Sequence, residues 1–376
     1  MTNFTRIAFL LAAITALALA SCGGGSPAVD DGGTNGSDTD ADADTDGDTD
    51  SDTDADTDTD TNCGESDFEV AGTTVDMLIL LDRSNSMCNQ DLWDDVTDAI
   101  TDITAQMHQQ VNFGLMVFPT LSCTNSPVYN QCGSPSGATV PFDATDPAGD
   151  IADLLGPNDV SCCGGTPTAS ALSAAETYLN SVSDGLEKYV LLATDGAPAC
   201  NPTLDGSSCT CVVEPSNCDQ PGMNLNCLDD TDTYTAAASL YTGGYPVYVI
   251  GVGASIDWAT VMDEIASQGG TTGYYEAADS TAFVNTLQTI VGDVVSCEFD
   301  IDWESLPDDA SQDPNMVNFY GDGGLIPYDE DCEDGSGWHW LDSDTVEFCE
   351  DACADLKGGV WETVTATFGC ESIPIE

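Results

Sequence analysis

The sequence predicts an α/β protein: a doubly wound, mostly parallel sheet, followed by a small disulfide-rich, β-containing C-terminal module. Two observations predict the sheet. Apolar runs at 75–81, 111–118, 188–194 and 246–252 alternate with stretches that repeat apolar residues at helical spacing. The runs also lack the period-two polarity of a strand with one wet face, so helices must cover both faces. A third observation predicts the module: past Cys297 the pattern changes to short alternating runs such as 299–303 and 364–368, with four further cysteines.

The chain begins with Arg6, an apolar run over 7–20, and Ser21-Cys22. That run is too short to span a bilayer comfortably and has the layout of an export signal. Leu19-Ala20-Ser21-Cys22 resembles a bacterial lipobox. The resemblance implies a signal peptide over 1–21, cleavage before Cys22 and lipid attachment to its thiol. An ordinary signal peptide cut nearby is the competing reading, and both mean export. Gly23, where an Asp would retain a lipoprotein at the inner membrane, favours the outer membrane and the cell surface.

Residues 22–62 show no hydrophobic periodicity, and every even position from Asp38 to Asp60 is Asp. Such a segment buries nothing and is stretched by its own charge, so it is expected to be a disordered acidic linker. Asp42, Asp44, Asp46 and Gly47 match the start of an EF-hand loop, but its twelfth position is Thr53 rather than Glu. Across the whole chain 67 acids oppose four Lys and Arg, a net charge of −63. This excludes nucleic acid and anionic lipid as electrostatic partners, so the membrane is met through the lipid alone. An acidic folded surface repels itself at low ionic strength, which points to a saline or divalent-rich habitat.

Seventeen cysteines in an exported chain imply a disulfide framework once Cys22 is set aside. Zinc competes for Cys200, Cys209, Cys211, Cys218 and Cys227, but they form no C-x-x-C pairs and the chain has only two histidines. Adjacent Cys162 and Cys163 are expected to bond different partners and brace the loop carrying Thr166, with Cys88 bracing the loop after the first strand.

Within the expected first domain, 63–296, the first strand at 75–81 is followed by a helix capped by Asn89, with Leu92, Val96, Ile100, Ile103 and Met107 on one face. His108 closes that helix, facing its dipole. Then come the strand at 111–118, an edge strand near 139–142 and a short helix at 151–155. Thr168 is expected to cap a helix bearing Leu172, Ala175, Leu179 and Val182. The strand at 188–194 leads to a Cys-rich insertion, 200–230, then a helix at 232–241 and the strand at 246–252. A helix capped by Asp257, a strand at 273–276 and a helix from Ser280 with Phe283, Leu287, Ile290 and Val294 inward complete the series. The module, 297–376, is expected to be β-rich with one helix near 351–357. Trp338 and Trp340 share a strand face flanking His339; a core role outweighs sugar stacking in so small a unit.

Three of the loops carry hard oxygen donors. The first strand ends in Asp82-Arg83-Ser84-Asn85-Ser86, a Gly-rich loop Cys163-Gly164-Gly165-Thr166-Pro167-Thr168 precedes a helix, and the strand at 188–194 ends in Asp195-Gly196. Loops at the carboxyl edge of such a sheet are where ligands bind, and oxygens of this kind suit a small divalent cation. Over roughly 70–295 the chain resembles the von Willebrand factor A domain, whose metal-ion-dependent adhesion site (MIDAS) combines D-x-S-x-S, a threonine from a later loop and the aspartate of a T-D-G turn. The resemblance implies that Asp82, Ser84, Ser86, Thr166 and Asp195 hold a divalent cation, Mg²⁺ first and Mn²⁺ or Ca²⁺ as alternatives. It also implies that an Asp or Glu of a protein or other surface ligand completes the coordination. A surface adhesion or binding module is thus expected, with a scaffold whose cation only braces the loops as the alternative. An enzyme is not expected: there is no G-x-S-x-G elbow and the two histidines lie in unrelated contexts.

Overall fold

The computed structural model describes residues 68–69 and 75–375 apart from 90–91, 121–131, 157–161, 213–217, 254, 302, 304–305, 307–311, 334 and 362. The lipobox with Cys22 and the acidic linker therefore lie outside the described residues. A parallel sheet of five strands forms the centre, in the order β3-β2-β4-β5-β6. Its strands are β2 (Val75–Asp82), β3 (Val111–Phe118), β4 (Lys188–Thr194), β5 (Val247–Val252) and β6 (Tyr275–Ala277), and every neighbouring pair is parallel. β1 is the short strand Phe68–Glu69 ahead of them.

The absence of alternation has its cause in the two layers of helices. On β2, Met77, Ile79 and Leu81 pack with α2 (Trp93–Met107), α3 (Pro147–Leu155) and α7 (Ser280–Val294). Leu78 and Leu80 pack on the other face with α4 (Thr168–Leu179), α5 (Asp230–Thr242) and α6 (Ala259–Gln268). Every residue of β2 is buried, so both sets of side chains must be apolar wherever a charge is not specifically paired. The helical stripes read from the sequence are the buried faces: Val96, Ile100, Ile103 and Met107 on α2, and Phe283, Leu287, Ile290 and Val294 on α7.

Differences from the expectations are local. After the first strand the chain makes a helical turn, α1 (Asn85–Asn89), before Leu92 N–H bonds Met87 O. Asn89 is used up in that turn, and α2 starts behind Leu92 with Asp94 and Asp95 in its first turn. Thr168 is the first residue inside α4, with Pro167 at the cap position. Asp257 lies in a 3-10 turn, Ser255–Trp258, that precedes α6. The edge strand near 139–142 reduces to a single antiparallel bridge, Leu115 to Val140. His108 ends α2 as expected, its Nδ1 2.8 Å from Ala105 O.

The C-terminal residues form two small antiparallel sheets. One has the order β1-β12-β8-β9, with β8 (Val317–Gly321), β9 (Gly324–Ile326) and β12 (Val364–Phe368); the other is β10-β11-β7, with β7 (Glu298–Asp300), β10 (Trp338–Trp340) and β11 (Thr345–Phe348). The helix α8 (Glu350–Lys357) packs beside them. Their core is continuous with the α2 and α7 layer, running on through Phe299, Phe319, Trp338, Phe348 and Phe368. Trp338 is fully buried edge-on to Phe319, 4.6 Å between centroids, which is the core role expected of it. Cys297–Cys353 and Cys332–Cys349 staple the unit. Among the described residues no helix is long and apolar enough to cross a membrane.

Candidate metal centre

The site stands at the carboxyl edge of the central strands. Asp82 is the last residue of β2 and Asp195 follows β4, its neighbour in the sheet, so adjacent strands deliver the two carboxylates. Asp82 is fully buried, and Ser84 and Asp195 nearly so. Asp82 Oδ1 accepts from the Ser84 backbone N–H at 2.7 Å, which folds the D-x-S-x-S turn back on its own aspartate. Ser84 Oγ lies 3.0 Å from Ser86 Oγ, and Ser86 Oγ donates to Asp195 Oδ1 at 2.9 Å. Four of the five expected residues thus form one hydrogen-bonded chain.

The fifth, Thr166, is buried on the adjoining loop, and its hydroxyl makes no hydrogen bond among the described residues. Backbone bonds set that loop against the first: Cys163 N–H to Arg83 O at 2.9 Å and Asn85 N–H to Gly164 O at 3.1 Å. Thr166 O also accepts from Ala199 N–H at 2.8 Å, tying it to the segment after Asp195. Two disulfides brace the arrangement. Cys88–Cys162 joins the loop after β2 to the threonine loop, and Cys132–Cys200 passes so close to Gly165 that a Cβ there would lie 2.6 Å from Cys200 Sγ. Cys163 is disulfide-bonded as well, so adjacent Cys162 and Cys163 do take different partners.

One contributor was missed by reasoning from the sequence. Thr194 donates its hydroxyl to Asp82 Oδ2 at 2.6 Å, holding the second oxygen of that carboxylate. Its signal was available in the T-D-G turn, where the threonine stands next to Asp195. The five cysteines weighed for zinc are all in disulfides: Cys209–Cys227, Cys211–Cys218 and Cys132–Cys200. The sulfurs of Cys209, Cys218 and Cys227 cluster within 4.8 Å of one another, but disulfide sulfur is not the thiolate that zinc takes.

The electrostatics of the cluster fit a divalent cation. Burial, followed by repulsion from Asp195, pushes Asp82 up to about 7 despite the hydrogen bonds from Thr194 and Ser84. Among the described residues no Lys, Arg or His forms an ion pair with Asp82. Two carboxylates with serine and threonine hydroxyls are a hard oxygen donor set, the kind Mg²⁺, Mn²⁺ and Ca²⁺ prefer. Asp82, Ser84, Ser86, Thr166 and Asp195 are the residues that would hold such an ion.

A parallel sheet with helices on both faces and an oxygen-lined carboxyl edge defines a doubly wound α/β domain. The model of the von Willebrand factor type A domain matches residues 76–291, more than half of the 376-residue chain, and the protein belongs to that family. No curated protein matches the sequence. Similar solved structures include the pilus adhesin SpaC from Lactobacillus rhamnosus GG, 16% identical, with a TM-score of 0.44 over 82% of this chain and 38% of that one. Proximal thread matrix protein 1 from the mussel byssus, in a form whose MIDAS motif is occupied by zinc, is 14% identical, with a TM-score of 0.37 over 62% of this chain and 50% of that one. Manganese-loaded Plasmodium vivax TRAP protein is 16% identical, with a TM-score of 0.36 over 59% and 75%. This chain thus spans well under half of SpaC and half of the mussel protein.

Proposed function

We propose that the protein is an exported, lipid-anchored binding module of the bacterial surface, not an enzyme. Its von Willebrand factor A domain, 63–296, holds Mg²⁺ on Asp82, Ser84, Ser86, Thr166 and Asp195, and the cation takes a carboxylate of a protein or other surface ligand. The observation that carries this reading is the hydrogen-bonded chain from Ser84 through Ser86 to Asp195, which gathers oxygens from separate loops around the buried Asp82. Three of the five donors are neutral hydroxyls, so the two carboxylates do no more than balance a bound divalent ion, which stays a Lewis acid with coordination open to an outside carboxylate. The protein side of the contact is strongly acidic. Without the ion, an acidic partner is repelled, and the cation decides the sign of the interaction.

Cys22 carries the lipid, the acidic segment 22–62 spaces the domain from the membrane, and 297–376 forms the appended module. The test is capture of surface ligands by the full chain in Mg²⁺, in chelator, and with Ser86→Ala. Capture should require Mg²⁺ and should be lost in Ser86→Ala. Capture indifferent to both, alongside a Mg²⁺-dependent gain in stability, would overturn it in favour of a scaffold whose cation only braces the loops.

A further inference from the structure

Next to the Thr166 loop, α4, α5 and the Cys-rich insertion border an open cavity of about 700 Å³. Pro167 and the Cys132–Cys200 disulfide line it on the side of the metal loops. Serine and threonine hydroxyls of α4 and α5 line the rest, together with Glu176, Asp229 and Asp232, and no Lys or Arg is in the lining. None of these three carboxylates belongs to the metal centre.

Asp229 is the informative one. It is only 5% exposed, and its Oδ1 accepts from Asn201 Nδ2 at 2.8 Å. Among the described residues no hydrogen bond reaches its other oxygen, which keeps some solvent access where the residue lines the cavity. Burial, with the nearby charges of Asp232 and Asp230, raises its pKa against the pull of Asn201. The same Asn201 amide also donates to Asp232 Oδ2 at 2.7 Å, so one neutral group is divided between two anions. Further along the α4 and α5 side of the cavity, Glu176 Oε1 accepts from Ser239 Oγ at 2.8 Å. A carboxylate this buried is normally paired, and neutral partners leave its charge uncompensated.

The occupant that these groups call for is a cation, and the size of the space says which sort. The volume exceeds that of a single water, about 30 Å³, by far, and falls in the range of roughly 300–1,000 Å³ typical of small-molecule sites. A bare metal ion would leave it mostly empty. An ammonium or guanidinium carries several N–H donors in addition to its charge and so matches carboxylates interleaved with hydroxyls. We propose that this cavity is a second ligand site, independent of the metal centre, which takes an organic cation, an ammonium or guanidinium group, between Glu176, Asp229 and Asp232.

The experiment is calorimetric titration of the full chain, in chelator and at constant near-physiological salt, with agmatine and with N-acetyl-arginine methylamide. N-acetyl-citrulline methylamide serves as the neutral isostere. Asp153→Asn, an exposed acid on α3, controls for the general charge of the chain. The cationic probes should bind saturably and the citrulline probe should not. Asp229→Asn, which keeps an oxygen for Asn201, should weaken binding about tenfold, as for loss of one charge-assisted hydrogen bond, and Glu176→Gln should weaken it as well. Should Asp229→Asn not fold, Asp232→Asn and Glu176→Gln carry the test. Saturable binding of agmatine alone identifies a free cation as the source, whereas binding of both cationic probes admits a basic side chain of a polypeptide. Equal binding of citrulline, or site variants that behave like Asp153→Asn, would overturn the proposal. Because the titration is run without divalent metal, failure of the metal centre leaves its result unchanged.

Discussion

Asp76 and Asp82 stand near the two ends of β2, and both are fully buried. Asp76 accepts from Asn112 Nδ2 at 2.8 Å and pairs with Lys188 Nζ at 3.3 Å, and the same lysine also holds Asp184. Among the described residues Asp82 is met by neutral donors, including the Thr194 hydroxyl and the Ser84 backbone N–H. Past Arg6 the chain has three basic residues, Arg83, Lys188 and Lys357, so the assignment of one to Asp76 is informative. At the amino edge the protein supplies its own counter-charge, and the fold is complete without help. At the carboxyl edge it supplies neutral donors, and on the proposed reading the counter-charge comes from solution.

The comparison breaks most sharply at Lys188. Lys188→Met should cost about 3–5 kcal/mol, since it strands a buried carboxylate, and Asp76→Asn in the same chain should restore most of it. Denaturant melts measure both, and a single-variant cost near zero would mean that Asp76 needs no partner. Acidity sharpens the contrast next. Burial raises Asp76 from 3.8 to about 6, against the pull of Asn112 and Lys188. A raised folded value means that its contribution is complete below the unfolded value and declines as pH rises through about 6. Asp76→Asn should therefore flatten a decline of at most about 3 kcal/mol between pH 4 and pH 7. A pH profile identical to wild type would contradict this. At the other end, Mg²⁺ at one hundred times its Kd should stabilise the wild type by about 2.7 kcal/mol and leave Asp82→Asn unmoved. Equal gains in the two proteins would detach the cation from this site.

Much of this arrangement was legible in the chain. The strands could be read because helices on both faces force continuous apolar runs, and the site could be read because its oxygens are spaced within short loops. Thr194 was adjacent to a recognised residue and escaped only because strand ends are read for burial rather than for hydroxyls. Long-range pairings were not legible. Nothing in the sequence ties Phe68–Glu69 to β12, where Phe68 faces Ala366, because register is fixed by tertiary packing across the whole chain. The same holds for Cys88–Cys162 and Cys132–Cys200, since spacing does not determine disulfide connectivity. Asn89, Thr168 and Asp257 each looked like a helix cap, but an added turn in front of α2 and α6, and Pro167 in front of α4, moved the true starts.

The scarcity of cationic side chains also bears on how the folded protein meets a protease. Trypsin-like proteases cleave after Lys or Arg, and past Arg6 they have three candidate bonds. Arg83 is half-buried, its backbone N–H bonded to Phe118 O, and Lys188 is buried at the start of β4. Only Lys357, half-buried at the end of α8, lies beside an exposed glycine, Gly358. Digestion of the folded chain should therefore nick it at that helix end or nowhere, with the sheet and its loops left whole.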